Sequence, residues 1–259
     1  MYWIVQNNIY SEEGHQKLLD ALSRLDLPHS LHKCIPFIGA LEPEIIPPPG
    51  KVFVMGSYTL MNQARLRGWS PGGFTENLDF ETQLSRWGEK MLNHDANIFS
   101  FSSLPPQLNP FFIRPTEDTK SFIGQIMDWP SFEEWREQVL SLSSEDGFQL
   151  NKDTQIMVAP KKEIFKEVRT WVVNGRVVTS SIYKIGTIRM KSPLDSNWVD
   201  PSIVEFVHEL GWYPNPACVI DVGETEEGYK IIEVNNLNSS GFYAGDMNKL
   251  VGSLEESFG

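Results

Sequence analysis

The dipeptide Asn174-Gly175 sits between two apolar runs, Glu167-Val-Arg-Thr-Trp-Val-Val before it and Arg176-Val-Val-Thr-Ser-Ser-Ile-Tyr after it. Asn and Gly both tolerate positive φ, which a two-residue hairpin turn requires at its two central positions. The pair therefore predicts two antiparallel strands with alternate side chains on opposite faces. A second hairpin is predicted from Val219-Ile-Asp-Val, a Gly- and Glu-rich turn, and Tyr229-Lys-Ile-Ile-Glu-Val-Asn. The last third of the chain reads as antiparallel β.

The first third reads differently. Tyr2–Gln6 is a short β-type run, and the stretch opened by Ser11-Glu-Glu-Gly carries Leu18, Leu19, Leu22 and Leu25 at helical spacing. Pro47-Pro48-Pro49-Gly50 is a stiff connector. Lys51–Met55, then Gly56-Ser57, then Tyr58–Arg67 read as strand, small-residue turn and helix, the βα unit of an open parallel sheet. In the middle, helices are predicted over Phe80–Leu92 and Phe132–Leu142, with the apolar strand Phe111-Phe-Ile-Arg-Pro115 between them. A Ser-rich turn is expected over Ser141–Asp146.

Composition bounds the function. Asp and Glu number 34 against 22 Lys and Arg, a formal charge of −12, which speaks against a nucleic-acid surface but leaves room for a local cationic pocket. No apolar run reaches the roughly 18–20 residues of a membrane helix. The start lacks a basic segment followed by an apolar one, so a cytoplasmic location is expected. Cys34 and Cys218 are far apart and lack a CxxC partner, so buried thiols are expected rather than zinc or a disulfide.

The second hairpin concentrates the chemistry. Glu233 and Asn235 are two apart and share a strand face, and hairpin pairing can bring Asp221 beside Glu233. Val234 and Ile232 then point to the core. Two carboxylates and an amide oxygen are hard donors suited to Mg²⁺, which prefers oxygen and shares its shell with phosphates. A solvated hairpin face with ordinary charges is the plain alternative. Asn236-Leu-Asn-Ser-Ser-Gly-Phe-Tyr follows as a loop with free backbone donors, or as a plain turn. Phosphates also need cations. Arg114 ends an apolar strand. A polar loop follows with Lys120, Ser121 and Gly124, although no GxxxxGK[ST] phosphate loop exists. Glu167 and Arg169 share a strand face, and Lys184 and Arg189 lie in the same region.

The order of these elements, with the stretches FFIRPTEDTKSFIG and EVNNLNSSGFYAGD, resembles the ATP-grasp family over roughly Phe111–Asp246. It is most similar to a phage and bacterial clade that uses an Arg and a Lys in the nucleotide lobe. The resemblance implies an α+β fold of two lobes gripping ATP, preceded here by a small α/β open-sheet lobe. The expected division is 1–75 for that lobe, 76–154 for the nucleotide-binding lobe and 155–259 for the lobe with the metal hairpin. Carried over by position, Asp221, Glu233 and Asn235 match the Mg²⁺ ligands. Arg114 stands where most members have a phosphate-binding Lys, with Lys120 as its companion. Met157, Val158 and Ala159 resemble the adenine hinge, and Glu167 the acid near the ribose. Arg169 and Arg189 match positions near phosphate or the substrate carboxylate, and Lys184 is expected at the nucleotide. The second lysine that most members carry has no clear counterpart; Lys90 lies on a predicted helix and is a poor candidate.

The resemblance implies an ATP-dependent ligase that joins a carboxylate to an amine through an acyl-phosphate, with ATP and Mg²⁺ required. Its partner would be a small molecule or peptide, with an amino acid, a peptide or a protein terminus as acceptor. The alternative is a nucleotide-binding regulatory or host-interaction protein without ligase activity. Specificity is expected in the N-terminal lobe and in the loops Ser192–Asp200 and Gly241–Asp246, with Trp198, Trp212, Tyr213, Phe242 and Tyr243 as candidate lining, although core packing is the commoner use of such aromatics.

Overall fold

In the computed structural model, which describes residues 1–9, 12–36, 38–75, 79–117, 121–141, 150–189 and 200–259, the chain begins with a mostly parallel sheet. Strands β1 (Tyr2–Gln6), β2 (His29–Cys34), β3 (Leu41–Glu42), β4 (Val52–Met55) and β5 (Pro71–Gly72) lie in the order β3-β2-β1-β4-β5. All four residues of β4 are buried, as expected of a central parallel strand covered on both faces. Gly56 and Ser57 then turn the chain into helix α2 (Tyr58–Leu66), the second helix of the chain. A Cβ on Gly56 would sit 2.6 Å from Gln6 Oε1, so only glycine fits this turn. The Ser57 hydroxyl caps the helix by accepting from the Leu60 N–H.

Helix α1 (Glu12–Arg24) buries Leu18, Ala21 and Leu22. Leu25, expected on the same stripe, lies one residue past the helix end and is exposed, because Asp26 turns the chain with a φ of 51°.

The chain forms two compact units, one of Met1–Glu76 with Phe165–Gly259 and the other of Asn77–Ile164. The Asn77–Ile164 unit holds a four-stranded antiparallel sheet of β6 (Asn97–Ser100), β7 (Phe111–Pro115), β8 (Gln125–Met127) and β9 (Gln155–Pro160), ordered β6-β9-β7-β8. Helix α3 (Phe80–Trp87) stops earlier than its apolar pattern predicts. Gly88, at φ 51° and ψ −127°, breaks it into a short 3-10 turn that carries Lys90. Helix α4 (Trp129–Ser141) starts one turn before its predicted Phe132, because the Asp128 carboxylate accepts from the Ser131 N–H and Pro130 is tolerated in a first turn. Phe101, Phe111, Ile113, Phe132, Ile156 and Val158 form this unit's core.

The rest of the first unit is a five-stranded antiparallel sheet of β10 (Lys166–Val173), β11 (Arg176–Ile185), β12 (Ile188–Arg189), β13 (Ala217–Thr225) and β14 (Gly228–Asn236), ordered β12-β11-β10-β13-β14. Both predicted hairpins are present, and Asn174 and Gly175 take φ of 47° and 75° as the two-residue turn requires. Helix α5 (Pro201–His208) precedes β13 in the chain, and α6 (Met247–Phe258) follows β14. Trp3, Val5 and Phe53 of the first sheet, Leu22 of α1, Trp171 and Val219 of the second sheet, and Leu250 and Leu254 of α6 share one buried cluster. Each such side chain contributes about 1.5–3 kcal/mol on burial. No helix among the described residues is long and apolar enough to cross a membrane.

Alternation along β14 is interrupted once. Asp221 pairs with Glu233 but Val222 pairs with Ile231, so Ile232 is the extra residue of a bulge. Ile231 is therefore the fully buried residue, whereas Ile232 and Val234, expected in the core, are only half-buried. The stretch after β14 is a short 3-10 turn, Leu237–Ser239, and not a loop of free donors. Asn238 is fully buried. Its Nδ2 donates to Val54 O at 2.6 Å, its Oδ1 accepts from Phe74 N at 2.9 Å, and its carbonyl accepts from Gly56 N at 2.8 Å. Asn236 likewise donates its amide to Phe74 O.

Candidate functional site

The register of the second sheet sets Arg169 on β10 beside Asp221 on β13, and Asp221 beside Glu233 on β14. Directly paired residues point to the same face, so the three charges form a row across the sheet. Arg169 grips Asp221 with two parallel bonds, Nε to Oδ1 at 2.9 Å and Nη2 to Oδ2 at 2.8 Å. Such bidentate pairs fix both partners in one plane. Asn235 Nδ2 donates to Asp221 Oδ2 at 3.2 Å and to Glu233 Oε1 at 3.0 Å, bridging the two carboxylates.

Asp221 is fully buried, and Arg169 is 8% exposed. Burial pushes the Asp221 carboxyl up to about 6; the Arg169 bonds oppose this, and the facing Glu233 adds to it. Burial also works against the Arg169 guanidinium, but the Asp221 carboxylate outweighs it and holds Arg169 above its usual pKa. Two acids and one guanidinium leave the row with a net negative charge, poised for a cation.

The donor set fits Mg²⁺. Asp221 and Glu233 supply carboxylate oxygens, and Asn235 brings its amide oxygen into play when the amide turns over from its present orientation. No group of three or more His, Cys, Asp or Glu suited to a metal occurs among the described residues, so the set is two acids and an amide.

Glu167 and Lys184 are register partners on β10 and β11 and form an ion pair. Arg189 lies on the short edge strand β12, opposite Lys184, and is exposed. In the Asn77–Ile164 unit, Arg114 pairs with Met157 across β7 and β9, and its Nε donates to Pro115 O at 3.2 Å. Met157, Val158 and Ala159 are buried in β9, which is flanked by β6 and β7. Gly124 permits a close approach: a Cβ there would lie 2.9 Å from the Phe112 ring. Lys120, the turn over 142–146, and Trp198 with the loop 192–199 fall outside the described residues.

Two tyrosines that share this face are less legible in the sequence. On β11, Glu167 pairs with Lys184 and Val168 with Ile182, so Tyr183 is an extra, bulged residue. Its ring centre lies 5.7 Å from the Arg169 guanidinium, and its hydroxyl bonds to Glu167. Burial, with the nearby acids, pushes the Tyr183 phenol well above its usual pKa, so it stays neutral. Tyr243 lies over Arg169 at 4.9 Å. Its place in the candidate loop Gly241–Asp246 is the signal that finds it; Tyr183 has none, because nothing local marks a bulge. Of the other aromatic candidates, Phe242 is buried in the core, and the Tyr213 hydroxyl bonds to Val207 O and Gly175 O.

A family model described as an ATP-grasp domain, the third family of its clade, matches residues 50–254. No curated protein matches the chain. Solved structures of similar fold include the ATP-grasp ligase PsnB complexed with minimal precursor, at 10% identity and a TM-score of 0.58, covering 99% of this chain and 98% of that one. They include the D-cycloserine synthetase DcsG, at 14% identity and a TM-score of 0.56, covering 99% of each chain. The D-alanine–D-alanine ligase from Bacillus anthracis matches at 11% identity and a TM-score of 0.58, covering 99% of this chain and 97% of the other.

Proposed function

This chain belongs to the ATP-grasp domain family, and from that premise we propose that it is an ATP-dependent ligase joining a carboxylate to an amine. The observation that carries this reading is the row Arg169–Asp221–Glu233 bridged by Asn235, which gathers oxygen donors and a fixed guanidinium on one sheet face. The similar structures are named as ligases and a synthetase, which agrees with that class.

In this reading Asp221, Glu233 and Asn235 hold Mg²⁺, whose chemistry is to neutralise phosphate charge. Arg169 faces the anion that forms as the phosphoryl group moves, and a preorganised guanidinium costs no reorganisation at that moment. Glu167 and Lys184 hold each other beside it, with Glu167 proposed for the ribose and Lys184 and Arg189 for anionic groups. Arg114, Lys120, Met157, Val158 and Ala159 are proposed as nucleotide contacts of their own unit. The substrate carboxylate attacks the γ-phosphorus of ATP, ADP leaves, and the resulting acyl-phosphate is attacked at carbon by the amine, releasing phosphate. The protein forms no covalent intermediate. Its work is orientation and charge, which suits a site built from Arg, Lys and carboxylates.

A screen of ADP release over amino acids and short peptides tests the proposal. Wild type should release ADP with at least one carboxylate and amine pair, and Glu233→Gln should lower that rate by roughly a hundredfold or more. Mg-ATP binding without ADP release for any pair would replace the ligase with a nucleotide-binding regulator.

A further inference from the structure

Arg169 is bonded on its edges and bracketed on its faces. Nε and one Nη2 hydrogen serve Asp221, and Nη1 donates to Gly241 O at 3.3 Å. A guanidinium has five N–H donors, so among the described residues these bonds leave two for a ligand. Tyr243 and Tyr183 lie 4.9 Å and 5.7 Å from its centre, and the two rings stack on each other at 5.2 Å and 22°.

The backbone holds Tyr243 there under strain. Its φ of 43° is a left-handed conformation that bulky side chains rarely adopt. The loop around it is tied down on both sides. Ala244 N donates to Ser181 Oγ at 3.2 Å, Asp246 N donates to Thr179 Oγ1 at 2.8 Å, and Lys17 Nζ donates to Tyr243 O at 3.4 Å. Gly at this position would adopt the same backbone without cost, yet the chain carries a ring that is 46% exposed and covers a buried cation. A residue kept against its backbone preference, with half its ring in solvent, contributes little as core packing. Its contact with Arg169 accounts for it.

We propose that Tyr243 is a positioning residue for the ligase reaction: its ring, backed by Tyr183, fixes the plane of the Arg169 guanidinium so that its two remaining N–H groups meet one planar oxyanion of the substrate. This rests on the ligase reading. The oxyanion is either the substrate carboxylate or the transferring phosphoryl group, and the kinetics separate them. A carboxylate ligand raises the KM for the carboxylate substrate when the ring is lost, whereas a phosphoryl ligand met in the transition state lowers kcat and leaves KM unchanged.

The test uses Tyr243→Phe, Tyr243→Leu and Tyr243→Gly in the full chain, with steady-state ADP release, thermal melting and the ¹H–¹⁵N signal of Arg169 Nε. Loss of the ring should cost about 3- to 30-fold in kcat/KM, the range of a cation–π contact. Tyr243→Phe should restore most of what Tyr243→Leu loses. Tyr243→Gly should melt no lower than wild type, since it relieves the left-handed strain, while losing as much activity as Tyr243→Leu. The Arg169 Nε signal should be sharp and slowly exchanging in wild type and Tyr243→Phe and broadened in the other two. The proposal is overturned if Tyr243→Leu leaves kcat/KM and the Nε signal unchanged, or if Tyr243→Phe loses as much as Tyr243→Leu. A wild type that binds Mg-ATP but never releases ADP overturns the ligase reading instead, and the Nε signal then still decides whether Tyr243 orients Arg169.

Discussion

Asp221 carries two burdens, and they can be measured apart. It is the buried partner of a buried guanidinium and one of two acids proposed to hold Mg²⁺. Asp221→Asn removes the charge that offsets Arg169, so it should destabilise the fold by about 3–5 kcal/mol, read from the urea midpoint. Arg169→Met combined with Asp221→Leu should cost less than the sum of the two single changes, because the double change leaves no unpaired buried charge. Strictly additive losses would mean that the two residues act independently. The cysteines give a second residue-scale test. Cys218 is buried with its thiol pushed up to about 12, and burial raises Cys34 as well. Neither should react with a thiol reagent in native protein at neutral pH, and both should react once the chain is unfolded. Fast native labelling of either would contradict the burial described.

At the scale of elements, the hairpins are legible in the sequence and the bulges are not. Asn174-Gly175 specifies its turn because positive φ at two successive positions is a strong local demand. Pairing in the second hairpin sets Asp221 opposite Glu233, as the alternating pattern predicts. A bulge has no such local code, so strict alternation places Ile232 and Tyr183 one residue out of phase. Helix ends have the same character: Gly88 ends α3 through its backbone conformation, which an apolar pattern does not report. Asn236 and Asn238 read as loop residues in the sequence, but their amides bond to the first sheet and the segment that follows it. Gly175→Ala tests the turn. Its φ of 75° and a Cβ only 3.0 Å from the Tyr213 ring should cost about 1–2 kcal/mol in chemical denaturation. Asp246→Ala should cost about 1 kcal/mol, since Asp246 Oδ1 caps α6 by accepting from Asn248 N and Lys249 N.

At the scale of the whole molecule, the unit with the candidate site is assembled from both ends of the chain, Met1–Glu76 and Phe165–Gly259. Trp3 and Phe53 share a core with Trp171, Val219 and Leu254, and the buried Asn238 sits where the first sheet meets the turn after β14. Part of the acid excess is not uniformly solvated surface: Asp221 and Glu233 lie in one row with Arg169. The central claim is that this row is where Mg-ATP is held. Titration calorimetry of Mg-ATP into wild type and Glu233→Gln tests it most directly. Binding at or below millimolar concentration by wild type, weakened about tenfold or more in Glu233→Gln, is the predicted result. No heat of binding for wild type at millimolar Mg-ATP, or equal affinity in the two proteins, would contradict it.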